Sequence, residues 1–134
     1  MSRLLLDTTF LIDGERDAAD LDELIGDDDD VAIASITLAE LVVGVRLATK
    51  RQRPRRQSYV DEIAAAIPIL PYDETVALHH ANLLVAVRRT GRRRGAHDLI
   101  IGATAAAAGR RVVSADRRSF DGLPGVNAID HRPG

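Results

Sequence analysis

The chain has no cysteine, no tryptophan, a single methionine and a single lysine. Without cysteine there can be no disulfide framework, no thiolate metal site and no cysteine nucleophile. That composition suits a reducing cytosol and makes zinc a poor expectation. Aromatic residues make up only 3% against 46% hydrophobic overall, so the core must be built from Leu, Ile, Val and Ala. Long apolar runs are missing too. Asp7 cuts the first one far too early for a signal peptide, and the weakly polar stretch from Leu99 to Ala108 is too short to cross a bilayer. The reading is a non-secreted, cytoplasmic protein with no membrane segment.

What is present fits one domain, residues 1–134, a length that buries a single respectable core. The net charge of -2 hides a dipolar chain: residues 1 to 45 carry 12 acids and 2 bases, whereas residues 46 to 134 carry 8 acids and 16 bases. Seventeen of the eighteen bases are arginine, in bursts at 51 to 56, 88 to 94, 110–111 and 117–118. Arginine's planar fork suits phosphates and carboxylates, although a solvated surface accounts for most such bursts.

Short apolar runs alternate with helical segments. Leu4 to Leu6 reads as a buried strand followed by a helix through about Glu15, and a second helix is expected over Ala18 to Ile25. The acidic stretch Asp27 to Asp30 reads as a solvated loop. Val31 to Ser35 is the next strand, and Thr37 opens a helix with apolar positions Leu38, Leu41, Val42 and Val45. A helix from about Arg55 to Ala66 leads to a brief strand at Ile69-Leu70, and Asp73 caps a long helix to about Arg89. Gly91 and Gly95 bracket a basic loop. His97-Asp98 then starts an alanine-rich helix closed by Gly109, and Val112-Val113 and Val126 to Ile129 are the last strands. This alternation predicts an α/β fold with a mainly parallel sheet of about five strands sandwiched by helices.

Four acids, Asp7, Glu40, Asp98 and Asp116, stand where strands end or helices begin, the edge at which open parallel sheets bind ligands. Each has a local explanation. Asp7 fits an N-cap, Thr37 to Glu40 fits a capping box, Asp98 suits a helix dipole and Asp116 suits a turn. Together they point further, because carboxylates sharing one crevice repel unless a cation joins them. An all-oxygen donor set suits Mg²⁺ or Mn²⁺.

The stretches Leu-Leu-Leu-Asp-Thr-Thr at 4 to 9, Ile-Thr-Leu-Ala-Glu-Leu at 36 to 41, His-Asp-Leu-Ile-Ile-Gly-Ala-Thr-Ala at 97 to 105 and Val-Val-Ser-Ala-Asp-Arg-Arg-Ser-Phe at 112 to 120 resemble, in order, those of PIN-domain nucleases of the VapC toxin type. The resemblance implies that Asp7, Glu40 and Asp98 are core metal ligands, with Asp116 as the more variable fourth acid and Thr9 and Ser114 as supporting hydroxyls. It implies a Mg²⁺- or Mn²⁺-dependent endoribonuclease, a small VapB-type antitoxin partner that pushes a basic residue into the acidic pocket, and a homodimer. The chain departs from the pattern at Ser114, where threonine is common, and at Ser119, where a further aspartate often stands.

An acidic pocket repels phosphodiesters, so basic residues must line its rim. Arg92, Arg93 and Arg94, just before Asp98, are the first candidates, and Arg117 and Arg118, just after Asp116, are the second. His97 is expected to point away from Asp98, ordering the loop or touching RNA. His79, His80 and His131 are poor ligand candidates.

Two other readings compete. Asp7 after a strand also suits aspartyl-phosphate chemistry, but Thr9 stands where a phosphatase needs a second aspartate. The lysine which that chemistry requires could only be Lys50, at the far end of a helix. A non-catalytic PIN-like module binding RNA or a basic peptide is the other alternative.

Overall fold

The computed structural model describes residues 2–16 and 28–130. Leu4, Leu5 and Leu6 form a buried strand, β1 (Arg3–Leu6), which leads into α1 (Thr8–Arg16). Then follow β2 (Asp30–Ala34), α2 (Ser35–Leu47), α3 (Arg53–Ala66), β3 (Ile69–Leu70), α4 (Glu74–Thr90), α5 (Ala96–Ala108), β4 (Arg111–Ser114), a short 3-10 turn (Arg117–Ser119) and β5 (Ala128–Asp130). The helix expected at 18 to 25, Asp27 of the acidic loop and His131 lie outside the described residues.

The five strands run in the order β3-β2-β1-β4-β5, all parallel, with Leu5 opposite Ala32 on one side and Val112 on the other. Successive side chains of a strand face opposite ways, and each face has its own core. Leu4, Leu6, Ile33 and Val113 pack with Phe10, Leu11, Leu41, Val45, Val60 and Ile63 of α1, α2 and α3. Leu5, Ala32 and Val112 pack with Val76, Leu83, Ile101 and Ala103 of α4 and α5. Burial on both faces explains why these strands are continuously apolar. The small residues of α5 let it lie close to its neighbours. A methyl at Gly102 would come within 3.3 Å of Val126 and 3.4 Å of Leu83.

Several boundaries differ from the sequence expectation, and β2 opens at Asp30, so the last acid of the acidic stretch lies in the sheet opposite Arg3 rather than in the loop. Helix α2 opens at Ser35, with Ala34 at the N-cap and no side-chain cap bond, so Thr37 is a fully buried first-turn residue and the capping box does not form. Helix α3 opens at Arg53 and carries Pro54 in its first turn, where proline's missing N–H costs nothing. The last strand is shifted to 128–130. Elsewhere the local signals hold: the Asp73 carboxylate accepts from Val76 N at 3.0 Å, and α4 ends at Gly91 with φ of 69°. No helix among the described residues is long and apolar enough to cross a membrane.

From β1 the chain moves to β2 and β3 on one side, then returns to β4 and β5 on the other. The carboxyl ends of β1 and β4 therefore flank the point where the winding reverses, the place such sheets leave a crevice.

Candidate active site

Asp7 directly follows β1 and is 2% exposed. Its Oδ1 accepts the Thr8 N–H at 2.8 Å, and its Oδ2 accepts the hydroxyls of Thr9 at 2.7 Å and Ser114 at 2.8 Å. These hydroxyls are fixed in turn, since Ala115 N donates to Thr9 Oγ1 at 3.3 Å and Asp116 N donates to Ser114 Oγ at 2.9 Å. Backbone N–H groups after β4 thus orient two hydroxyl protons onto one carboxylate oxygen. Burial raises the Asp7 pKa first of all, and nearby Glu40 adds to the rise, while the bonds from Thr9, Ser114 and Thr8 oppose it.

Glu40, on α2, reaches across to α1 rather than back to its own helix start. The buried Thr8 hydroxyl donates to Glu40 Oε1 at 2.8 Å and lies 3.2 Å from Thr37 Oγ1. The other oxygen, Oε2, stands 3.2 Å from His97 Nδ1. Asp98, in the first turn of α5, has its pKa pushed up to about 6, first by burial and then by the charges of Asp7, Glu40 and Asp116, against a smaller lowering from His97. Asp116 is more open. Its Oδ2 accepts from Ser119 Oγ at 3.2 Å, and its Oδ1 is 3.9 Å from Arg118 Nε.

Four acids from four separate segments therefore share one electrostatic field at the carboxyl edge of the sheet. The PIN domain family matches residues 4–125, a span that contains all four. The chain belongs to the PIN domain family. It is 35% identical over 127 residues to Ribonuclease VapC5 of Mycobacterium tuberculosis, covering 94% of this chain and 91% of that one. It is 32% identical over 101 residues to the tRNA(fMet)-specific endonuclease VapC of Salmonella typhimurium, covering 75% and 74%. The solved structure of VapBC-5, a toxin-antitoxin system of Mycobacterium tuberculosis, superposes with a TM-score of 0.80 at 34% identity, covering 98% of this chain and 100% of that one.

In this PIN domain the acids converge in charge more than in coordination. Among the described residues no three acidic or histidine side chains are gathered tightly enough to hold an ion as they are placed, and Glu40 has a partner on each oxygen. The donor set still fits a hard divalent cation. It is all oxygen, and the repulsion from Asp7, Glu40 and Asp116 that adds to the burial-driven rise of Asp98 is what a cation relieves. The capping explanation of Glu40 falls short, because its carboxylate bonds to α1 and faces α5, and that of Asp7 leaves out the hydroxyl of Ser114 on β4.

A cleft of about 360 Å³ runs past Asp98 and Asp116, lined by Arg92, Arg93, Arg94, Gly95, Arg118 and Ser119. Of the five arginines expected at the rim, four line this cleft and Arg117 does not, and the five are not equivalent. Arg94 donates through Nη1 to Ser119 O at 2.9 Å and through Nη2 to Asp121 O, so it ties the loop before α5 to the turn after β4. Arg117 pairs with Asp121 at 3.7 Å. Arg92 and Arg93 have no carboxylate partner within 4 Å among the described residues, and Arg118 reaches only Asp116. Sequence reasoning missed Thr8 and the inward contact of His97. No local motif signals either, because their partner lies on another helix.

Proposed function

We propose that this PIN domain is a Mg²⁺- or Mn²⁺-dependent endoribonuclease, the toxin of a toxin-antitoxin pair acting in the cytoplasm. The observation that carries the reading is the meeting of Asp7, Glu40, Asp98 and Asp116 in one field beside an arginine-lined cleft. Asp7, Glu40 and Asp98 would hold the cation, and Asp116 would complete its outer surroundings. When bound, the ion neutralises phosphate charge and acidifies the attacking water.

The protein's own groups do the rest. Thr9 and Ser114 hold Asp7 through Oδ2, so a short buried carboxylate presents one fixed orientation, with Oδ1 carrying the single Thr8 N–H donor. Arg92, Arg93 and Arg118 offset the repulsion between the acids and an RNA backbone, while Arg94 and Arg117 hold the two rim loops in shape. A small antitoxin of the VapB type, placing a guanidinium or ammonium among the acids, would compete for both cation and phosphate. Association as a homodimer belongs to the same reading. The names of the VapC relatives and the VapBC neighbour support it.

The test is incubation of the purified chain with structured RNA in Mn²⁺, in Mg²⁺ and with chelator, followed by mapping of the cut ends. Hydrolysis by an activated water leaves 5′-phosphate and 3′-hydroxyl ends. Ends carrying 2′,3′-cyclic phosphate, formed without metal, would exclude the mechanism.

Gly95 offers a more local check. A methyl there would stand 2.8 Å from Asp98 Oδ2, so Gly95→Ala must displace that carboxylate while leaving ordinary helical-start backbone. The expected result is a drop in cleavage of roughly tenfold, the scale for disturbing a ligand's surroundings, with little change in melting temperature. Full activity in Gly95→Ala would show that the Asp98 position is not critical.

A further inference from the structure

Of the three acids assigned to the cation, Glu40 is the one with a positioning problem. Asp7 is short, buried and held by three donors. Asp98 has a single carbon between backbone and carboxyl. Glu40 has a long side chain that is 31% exposed, and ordering such a chain costs about 1.5–2 kcal/mol of rotamer freedom. Something must fix its head.

Two groups contact that head, one per oxygen and from different elements. Thr8 Oγ1 of α1 donates to Oε1 at 2.8 Å, and His97 Nδ1 of α5 stands 3.2 Å from Oε2. Each carboxylate oxygen has two acceptor directions, so one partner apiece leaves one direction on each oxygen for a cation or its water shell. His97 also immediately precedes Asp98 on the first turn of α5. The contact therefore joins Glu40 to the residue next to another acid of the same pocket.

We propose that His97 is a positioning residue for Glu40, acting through its Nδ1 to set the carboxylate in register with Asp98. The proposal rests on the metal-dependent reading above and adds to it a residue that touches neither substrate nor cation. It needs only a hydrogen on Nδ1, which the imidazolium and one neutral tautomer both carry.

The chemistry of the contact supplies the test. In asparagine the side-chain N–H₂ is attached to Cγ, as Nδ1 is in histidine, whereas in glutamine it is one bond further out, nearer the place of Nε2. Mn²⁺ uptake by the full chain is measured by titration calorimetry for wild type, His97→Ala, His97→Asn and His97→Gln. Cleavage kinetics and melting temperature are followed alongside.

The expected order is a loss of about tenfold in Mn²⁺ affinity for His97→Ala, recovery of most of it in His97→Asn, and little recovery in His97→Gln, the scale being that of an outer partner of a metal ligand. Loss in kcat should track the loss of Mn²⁺ affinity, with KM for RNA little changed. His97→Ala binding Mn²⁺ as wild type does would overturn the positioning role and leave the nuclease reading standing. The same holds if His97→Asn is no better than His97→Ala. Wild-type protein that takes up no Mn²⁺, alone or with a bound oligonucleotide, would overturn both.

Discussion

Asp98→Asn is expected to cut RNA cleavage in saturating Mn²⁺ by a hundredfold or more, beyond the roughly 10–100-fold that loss of an outer partner costs. The substitution keeps shape and most hydrogen bonding but removes the charge placed among Asp7, Glu40 and Asp116. Chelator added to wild type should have the same effect, and the two together should add nothing further, because both remove one interaction. Residual cleavage that is insensitive to either treatment would mean that catalysis does not pass through these carboxylates.

The same substitution should make the metal-free protein more stable at neutral pH. Asp98 titrates at about 6 in the folded chain, and the Asp7 pKa is also raised, whereas unfolded aspartate titrates near 3.9. A raised folded-state value means that the native form holds its proton where the unfolded form has lost it. The stabilisation is therefore complete below the unfolded pKa and disappears as pH rises through about 6. Chelated wild type should melt progressively lower from about pH 4 to pH 6, by a few degrees, and level off above that. Asp98→Asn should flatten that slope, and Mn²⁺ added to wild type at pH 7 should restore the lost stability. A chelated wild-type curve parallel to that of Asp98→Asn across this window would show that Asp98 carries no such strain.

Both expectations began from residues readable in the chain. Asp7 and Asp116 are visible because each follows an apolar run at the edge where such a sheet binds ligands. Thr9 and Ser114 come from the resemblance instead, and their hydroxyls both bond to Asp7. The parallel sheet is legible because its apolar runs are too short for helices and too continuous for half-exposed strands.

What escaped notice depends on distance along the chain. Thr37 to Glu40 has the spacing of a capping box, yet the helix starts two residues earlier, Thr37 is buried beside Thr8, and Glu40 bonds to α1. A local motif worth about 1 kcal/mol yields to tertiary contacts of that kind. Arg92, Arg93 and Arg94 are indistinguishable as letters, and only the path of the turn after β4 decides that Arg94 is a strut. The approach of His97 to Glu40 joins residues on two helices that no periodicity relates.

The central position of β1 has one more consequence. Its neighbour β4 comes from the last quarter of the chain, with Leu5 set against Val112 and Ser114 bonded to Asp7. A nascent polypeptide still emerging from the ribosome carries Asp7 and Glu40 for most of its synthesis without the strand that completes their surroundings. The surroundings of Asp7 therefore cannot form as described until Ser114 has been added to the chain and has reached it.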